Sequence, residues 1–249
     1  MTKRKNGKLV KRGRWWFNVI KRLMVKRYPC PKFVYLGRVF NNGSLILTNH
    51  EGTDAPMSLE MYLDAPIRMW GAHQMNSGLI NLYKYQTKVY YHQKKHWNIH
   101  LARLFCIIAS PLTNLFYKGL NLISTYRDAR FFKTINESIK AIKNGTSIVV
   151  YPEDSKNGYL PQLQAFYSGF LVFANACAKK DIDIDIVVAY FKKKERIYIF
   201  DEPIKYSSLV ATFDTKEGIV SYLLDRCNEL GEMNNEALFT QSFSKIDIA

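Results

Sequence analysis

The chain has 249 residues, 47% of them apolar and 14% aromatic, a composition that predicts a folded protein with a sizeable core and excludes wholesale disorder. Thirty-six Lys and Arg residues against 21 Asp and Glu residues give a formal net charge of +15. A charge of this size favours anionic partners, either phospholipid headgroups or nucleic-acid phosphates.

The positive charge is concentrated at the front of the chain. Residues 1–50 contain thirteen Lys and Arg and no acidic residue, so the remaining 199 residues together carry only +2. The sequence therefore predicts a nearly neutral body with a cationic N-terminal end. That end is too basic and too poor in apolar residues for a secretory signal, and no run of about 18 uninterrupted apolar residues predicts a membrane span.

The four cysteines show no C-x-x-C spacing and no nearby histidine partner pattern; they are Cys30, Cys106, Cys177 and Cys227. This favours reduced thiols in a cytosolic compartment over a disulfide framework.

Residues 14–28 have the apolar periodicity of a helix, which Pro29 and Pro31 end. Tryptophan beside arginine, an apolar stripe and cationic flanks are typical of a helix that lies in a membrane interface. The residues expected to contact lipid are Trp15, Trp16, Ile20 and Leu23. The alternative is a helix packed on the domain with its charges solvated. We expect residues 1–31 to form this tail and helix, and residues 32–249 to form a single domain.

Two features in the middle of the chain leave more than one interpretation open. Residues 104–117 carry no charge and are too short to cross a bilayer, so they predict either a buried helix or an apolar surface that dips into lipid. His92, His96 and His100 recur at intervals of four, which would place three imidazoles on one helical face. No acidic or cysteine residue in that segment completes a zinc site, so we expect no metal.

The rest of the chain alternates between strand and helix patterns. Strands are predicted at 44–48, 67–72, 121–126, 146–151, 181–191 and 196–204, and helices at 55–64, 130–144, 163–179 and 214–232. This alternation predicts an α/β fold, with a mixed, largely parallel sheet flanked by helices and the basic amphipathic helix attached at the N-terminus.

His50 directly follows one of these strands, at the strand end where open α/β sheets keep their ligand crevices. Asp54, four residues further on, can accept the imidazole N–H and stabilise the imidazolium. The pair predicts a general base with an orienting carboxylate. The alternative is an ordinary loop histidine beside an acidic residue at a helix N-terminus.

Two further strands are followed by charged residues that we expect at the same edge of the sheet. Arg127 follows the strand at 121–126, and the sequence YPEDSK follows the strand at 146–151. The arginine and the lysine of these two turns predict an anionic substrate, either a phosphate or a carboxylate.

In this order the blocks resemble the glycerolipid acyltransferases, the lysophosphatidic acid acyltransferase family. The resemblance covers roughly residues 35–205 and is carried by NHEGTD at 49–54, ISTYR at 123–127, YPEDSK at 151–156, FYSGF at 166–170, the apolar strand at 184–190 and DEPI at 201–204. Three residues separate His50 from Asp54, where the family has four. Asp154 stands where the family has Gly, and Lys156 where it has Arg.

The resemblance implies an enzyme that moves a fatty acyl group from acyl-CoA or acyl carrier protein to the hydroxyl of a lysophospholipid such as 1-acyl-glycerol-3-phosphate. His50 would be the general base and Asp54 would hold its ring. The substrate-binding residues would be Arg127, Glu153, Ser155 and Lys156. No cofactor is implied beyond the acyl donor. The implied location is the cytoplasmic face of the cell membrane, as a peripheral or monotopic protein with the phospholipid surface as partner.

Two other functions remain open. The shortened spacing after His50 and the presence of Asp154 favour a membrane-bound relative that has lost activity. The basic front with Trp15, Trp16 and Tyr28 interleaved would suit a nucleic-acid-binding protein. That second alternative leaves the strand-end His, Arg and Glu unexplained, so we expect no nucleic-acid partner.

Overall fold

A computed structural model describes residues 8–94, 96–154 and 160–234 of the chain. The α-helices are α1 (Trp15–Met24), α2 (Asp54–Tyr62), α3 (Leu79–Tyr85), α4 (Ile99–Leu120), α5 (Phe131–Lys143), α6 (Gly169–Ala178), α7 (Tyr206–Thr212) and α8 (Lys216–Glu232). The strands are β1 (Lys32–Tyr35), β2 (Leu45–Thr48), β3 (Ile67–Ala72), β4 (Ile123–Thr125), β5 (Ser147–Val150), β6 (Asp185–Lys192), β7 (Ile197–Phe200) and β8 (Ile204–Lys205). A 3-10 helix (His73–Asn76) precedes α3 and a π-helix (Gln86–Lys94) follows it.

The strands of the described chain form one sheet in the order β1-β7-β6-β2-β5-β3-β4, with β8 paired to β6. Strand β6 runs antiparallel to β7 and β8, and the other strand pairs are parallel. The mixed, largely parallel sheet expected from the sequence is confirmed.

Helices cover both faces of this sheet. On β2, Leu45 and Leu47 contribute to the core shared with α5, α6 and α8, whereas Ile46 between them contributes to the core shared with α2. Successive side chains of a strand point to opposite faces, so a strand buried on both sides must be continuously apolar. The run at 44–48 therefore identified a central strand.

Several element boundaries differ from the sequence prediction. The helix expected at 163–179 begins only at Gly169, because Phe166 forms an antiparallel bridge with Glu153. The strand expected at 196–204 stops at Phe200, ahead of Pro203, which has no N–H to donate to a ladder. Strand β1 and helix α7 were not predicted, because four and seven residues are too few to show a period.

The three histidines predicted to share one helical face do not do so. His92 lies in the π-helix and His100 in the first turn of α4, while His96 between them has a φ of 56°. A left-handed residue interrupts a helix, so the two flanking histidines belong to different elements. Among the described residues, no group of three or more His, Cys, Asp or Glu is arranged to hold a metal.

Helix α1 packs on the body of the protein along one side. Phe17 is buried edge-on against Phe116 of α4, with ring centroids 5.6 Å apart. Gly119 permits this approach, since a Cβ there would lie 2.1 Å from the Phe17 ring. Not all charges of this helix are solvated, because Lys21 is fully buried and donates to Glu60 of α2 at 3.1 Å. Burial of a lysine requires such a partner.

The opposite side of α1 faces away from the body. Of the four residues predicted to contact lipid, Trp15 and Leu23 are exposed, whereas Trp16 and Ile20 are partly buried. Helix α1 therefore packs on the body of the protein along one side and presents exposed apolar side chains on the other.

Helix α4 contains the uncharged segment 104–117 and is mostly exposed. Its buried residues are the small side chains Ala102, Cys106 and Ser110, and Ser110 donates a hydrogen bond to Gln86 of the π-helix at 2.7 Å. The large apolar side chains face solvent; they are Leu101, Leu104, Phe105, Ile107, Ile108, Leu112 and Leu115. The expectation of a buried helix is wrong. The helix presents an exposed apolar surface, and the contact of this surface with lipid stays a prediction. By length and hydropathy alone, α4 could also cross a membrane.

Candidate active site

Three predicted site residues follow strands that are close neighbours in the sheet. Strand β5 pairs in parallel with both β2 and β3, and β3 pairs in parallel with β4. His50 lies two residues past β2, Arg127 two past β4 and Glu153 three past β5. Because parallel strands end at the same edge of a sheet, the fold brings these residues to one edge.

The residue before His50 fixes the end of β2. The Asn49 side chain accepts the Phe191 N–H at 2.7 Å and donates to the Phe191 carbonyl at 3.1 Å. Both bonds are buried, and they attach the chain just before His50 to β6. These two bonds explain why an asparagine precedes the histidine in the NHEGTD segment.

A tight turn connects His50 to α2. Glu51 and Gly52 are both left-handed, with φ values of 40° and 64°. Such a backbone is costly for Glu51 and natural for glycine. The turn lets α2 begin at Asp54, four residues after His50.

A cavity of about 840 Å³ opens at this edge of the sheet. Its lining includes His50 and Arg127, together with Gly52 of the turn. Most of the wall is apolar, with contributions from Met24, Met57, Met69, Phe116, Leu120 and Phe170. The cavity therefore joins a titratable group, a cation and a long apolar surface.

His50 is partly buried, and its ring centroid lies 4.7 Å from that of Tyr151. Desolvation lowers the pKa of His50 to about 4, and hydrogen bonds with the backbone of Gly52 and of His50 itself oppose that change only in part. The imidazole is therefore neutral at pH 7, which is the protonation state that a general base requires.

Glu153 lies beside His50 and accepts a hydrogen bond from the His50 backbone N–H. Its Oε1 atom is buried and has no hydrogen-bond partner among the described residues. Desolvation raises the pKa of Glu153 to about 7, and the charge of Glu51 adds to the rise. A carboxyl group that titrates near neutrality next to a neutral imidazole is typical of sites of proton transfer.

The carboxylate of Asp54 contacts two cations. Its Oδ1 accepts from Arg27 at 2.9 Å and its Oδ2 lies 3.2 Å from the Lys193 ammonium. Burial alone would raise the pKa of Asp54, but the bonds and charges of Arg27 and Lys193 outweigh burial and lower it. Asp54 is ionised at neutral pH, and its role in orienting His50 stays a prediction.

Arg127 lies at the exposed rim of the cavity. Its guanidinium carbon is 5.9 Å from the centre of the Tyr167 ring. The neighbouring Tyr126 ring stacks on His73, with centroids 5.0 Å apart. Arg127 is thus a cation on an aromatic rim, open to an anionic group from solvent.

Two predicted substrate-binding residues, Ser155 and Lys156, lie outside the described residues. Sequence reasoning did not single out Tyr151, Lys193 or Arg27 for the site. The sequence pattern could have identified Tyr151, because this residue follows the strand that leads to Glu153. The cations on Asp54 come from distant parts of the chain, and no local pattern indicates them.

No family model and no curated protein matches the chain. Among solved structures, the chain is similar to the 1-acyl-sn-glycerophosphate (LPA) acyltransferase PlsC from Thermotoga maritima. The two share 11% sequence identity, and the superposition covers 87% of this chain and 77% of that chain with a TM-score of 0.49.

Proposed function

We propose that the protein is a membrane-associated O-acyltransferase. It would move a fatty acyl group from acyl-CoA or acyl carrier protein to the hydroxyl of a lysophospholipid such as 1-acyl-glycerol-3-phosphate. The observation that carries this proposal is the cavity that a neutral His50 and the Arg127 cation share with a mainly apolar wall.

The cavity suits a substrate with one charged end and one long apolar end. Its volume of about 840 Å³ lies in the upper part of the range of roughly 300–1,000 Å³ for small-molecule sites. Each methylene group that leaves water for such a wall contributes about 0.8 kcal/mol. A fatty acyl chain would therefore be held by the wall while its polar end stays at the rim.

The chemistry requires a base and a donor to the developing oxyanion. The His50 imidazole would take the proton of the acceptor hydroxyl as that oxygen attacks the thioester carbonyl. Collapse of the tetrahedral intermediate would break the C–S bond, and the imidazolium would return the proton to the leaving thiolate. Gly52 lines the cavity, and we take its backbone N–H as a candidate oxyanion donor.

The low pKa of His50 means that its surroundings disfavour the protonated ring. The imidazolium that forms in this step must therefore be stabilised by another group. Asp54 is ionised and lies four residues after His50, at the start of α2, and Glu153 titrates near pH 7 beside the histidine backbone. A carboxylate that faces the developing imidazolium lowers the barrier by offsetting its charge. We assign this role to Asp54, with Glu153 in support.

Arg127 would bind the phosphate of the acceptor, with help from Ser155 and Lys156, and Glu153 would position the acceptor or these basic side chains. A guanidinium forms two parallel hydrogen bonds to a phosphate, which fixes orientation as well as position. In Arg127→Ala, we expect a higher KM for a phosphate-bearing acceptor and a smaller change in kcat, because the substitution removes binding and leaves the base in place.

Docking on the cytoplasmic face of a phospholipid membrane would occur through α1 and α4. Trp15 and Leu23 of α1 and the large apolar side chains of α4 are exposed. The chain from 65 to 127, which contains α4, has no acidic residue. Apolar side chains beside unopposed positive charge favour an anionic lipid surface. Because Lys84 and Lys88 are exposed on the helices packed beside α4, we expect α4 to lie along the surface rather than cross it.

The test is acyl transfer from palmitoyl-CoA and palmitoyl carrier protein to 1-acyl-glycerol-3-phosphate in vesicles. Loss of the general base should lower the rate by about 10²–10⁴-fold in His50→Ala, while the melting temperature of the variant stays near that of the wild type. No product from the wild type with either donor contradicts the reaction. An equally active His50→Ala contradicts the role of His50 alone.

A second candidate is a membrane-bound relative without activity. It is favoured by the two cations on Asp54 and by Asp154 in place of the family's glycine. Insertion of one residue between His50 and Asp54 distinguishes the two: a gain of activity from an inactive wild type supports this candidate, and full wild-type activity excludes it.

A further inference from the structure

Lysine and arginine residues from three separate parts of the chain collect beside the candidate site. The chain stays helical for one turn past α1, because the Tyr28 N–H donates to the Met24 carbonyl at 2.9 Å. The cations are Lys26 and Arg27 in this turn, Lys32 at the start of β1, and Lys193, Lys194 and Arg196 in the turn between β6 and β7. We refer to these six residues as the basic face.

Three contacts bring these parts of the chain together. Arg27 donates to Asp54 Oδ1 at 2.9 Å, and the Lys193 ammonium lies 3.2 Å from Asp54 Oδ2. The Lys32 N–H donates to the Arg196 carbonyl at 2.8 Å, where β1 pairs with β7. The end of α1, the start of β1 and the turn between β6 and β7 therefore lie side by side.

The basic face carries more positive charge than the neighbouring carboxylates neutralise. Lys193 contacts two of them, Asp54 at 3.2 Å and Glu51 at 3.9 Å, and Glu195 lies in the same turn. Six cations and these three carboxylates leave an excess of three positive charges. The Asp54 side chain is only 8% exposed, whereas all of the cations except Arg196 are exposed. The outer layer of this surface is therefore positive.

The basic face continues the exposed apolar side of α1. Trp15, Val19 and Leu23 are exposed and recur every four residues, and Arg27 is the next position in that series. A phospholipid membrane offers anionic headgroups and an apolar interior to one such surface. A nucleic acid would match the cations and leave the apolar series without a partner. The combination favours lipid.

We propose that the basic face is a second membrane contact, which binds anionic phospholipid headgroups next to the exposed side of α1. This inference rests on the membrane docking in the proposed function. The turn between β6 and β7 brings cations to the lipid phosphates while Trp15 and Leu23 enter the headgroup boundary. Met24 and Tyr28 belong to the same segment as α1 and line the cavity. Docking through the basic face therefore holds that wall of the cavity next to the lipid.

The test is sedimentation with vesicles of phosphatidylcholine and with vesicles of an equal mixture of phosphatidylcholine and phosphatidylglycerol. Lys26 and Lys194 are exposed and have no ion pair among the described residues, so Lys26→Gln and Lys194→Gln should keep the melting temperature of the wild type. We expect each substitution to weaken binding to the mixture about fivefold, and the double variant about 20- to 30-fold, at roughly 0.1 M salt. Binding to phosphatidylcholine alone should not change.

The matched control removes two lysines from another surface. Lys140 and Lys143 are exposed in the last turn of α5, which packs on the opposite face of the sheet from α2. The double variant Lys140→Gln/Lys143→Gln should bind the mixture within about twofold of the wild type, because these side chains face away from the docked surface. Equal weakening in the two double variants contradicts the proposal, and so does wild-type binding in Lys26→Gln/Lys194→Gln.

A nucleic-acid partner gives a different result. Fluorescence anisotropy measures the binding of a labelled single-stranded RNA oligonucleotide to the wild type and to Lys26→Gln/Lys194→Gln. RNA binding that falls in this variant while vesicle binding stays at the wild-type level overturns the lipid assignment. We expect the vesicle binding to fall and no RNA binding that depends on these two lysines.

Acyl transfer to a detergent-dispersed acceptor separates this inference from the proposed reaction. A wild type that transfers acyl groups but binds vesicles independently of both lysines overturns the role of the basic face and leaves the reaction standing. A wild type without acyl transfer, whose vesicle binding depends on both lysines, contradicts the reaction and supports the basic face.

Discussion

The candidate site and helix α4 depart from ordinary burial in opposite directions. At the site, Glu153 is only 9% exposed and desolvation dominates the pKa of both Glu153 and His50. On α4, Ile108 is 72% exposed and most large apolar side chains face solvent. Both arrangements cost stability, because water solvates charge and disfavours apolar surface. Buried ionisable groups at the site and exposed apolar side chains on α4 are both unfavourable for folding. The first arrangement suits proton transfer, and the second suits docking on another surface.

The largest effect on stability is expected at the buried side of this comparison. The pKa of Glu153, about 7, lies above its ordinary value of 4.5. The native state therefore binds more protons than the unfolded state between these two pH values, and stability falls as the pH rises through that window. Glu153→Gln should stabilise the protein by about 2–3 kcal/mol at pH 8 and have little effect at pH 4. Urea denaturation at both pH values measures this difference.

His50 acts in the opposite direction and serves as the internal check. Its pKa of about 4 lies below the ordinary 6.5, so its contribution to stability is lost as the pH falls through that window. Both the wild type and Glu153→Gln contain His50. Its contribution therefore drops out when the free energies of unfolding of the two proteins are subtracted at each pH. A difference that is the same at pH 4 and pH 8 would show that Glu153 titrates normally.

An intermediate effect is expected at the exposed side. Ile108→Ser removes apolar surface that would contact lipid, and we expect vesicle binding to weaken by about 1–2 kcal/mol, roughly five- to thirtyfold. The matched control is Val172→Ser on α6, a side chain that is 51% exposed and lies outside the proposed docking surface. Equal weakening in both variants, measured by sedimentation with phosphatidylglycerol vesicles, would contradict a specific role for α4.

The smallest effect is expected on the stability of Ile108→Ser in the absence of lipid. An exposed side chain makes few contacts, so the free energy of unfolding should change by less than about 0.5 kcal/mol. A loss of more than about 1 kcal/mol in urea denaturation would show that another part of the chain covers this face in solution, and the contrast with the buried site would disappear.

The strand ends that carry the candidate site could be predicted from the sequence. His50 and Glu153 each follow a short apolar run that ends in turn residues, and a buried parallel strand requires such a run. Their shifted pKa values could not be predicted, because desolvation depends on atoms from many distant parts of the chain. The ion pair between Arg27 and Asp54 joins residues 27 positions apart, and only the folded chain brings them together.

The exposure of α4 was equally beyond sequence reasoning. Helix α6 is also apolar, yet its large side chains Phe170 and Phe173 are buried in the core. On α4 the positions that pack are the small residues Ala102, Cys106 and Ser110. Hydropathy reports how apolar a helix is, whereas burial depends on which of its sides meets a neighbour.

The central position of β2 has a consequence for the order of events during biosynthesis. Leu45 pairs with Ile148 on one side and with Ile186 on the other, both more than 100 residues downstream. Pairings this distant in sequence form slowly and only after their partners have been synthesised. Helix α1 leaves the ribosome long before either partner strand. The nascent chain therefore presents its cationic, tryptophan-bearing end to its surroundings well before His50 acquires the neighbours that desolvate it.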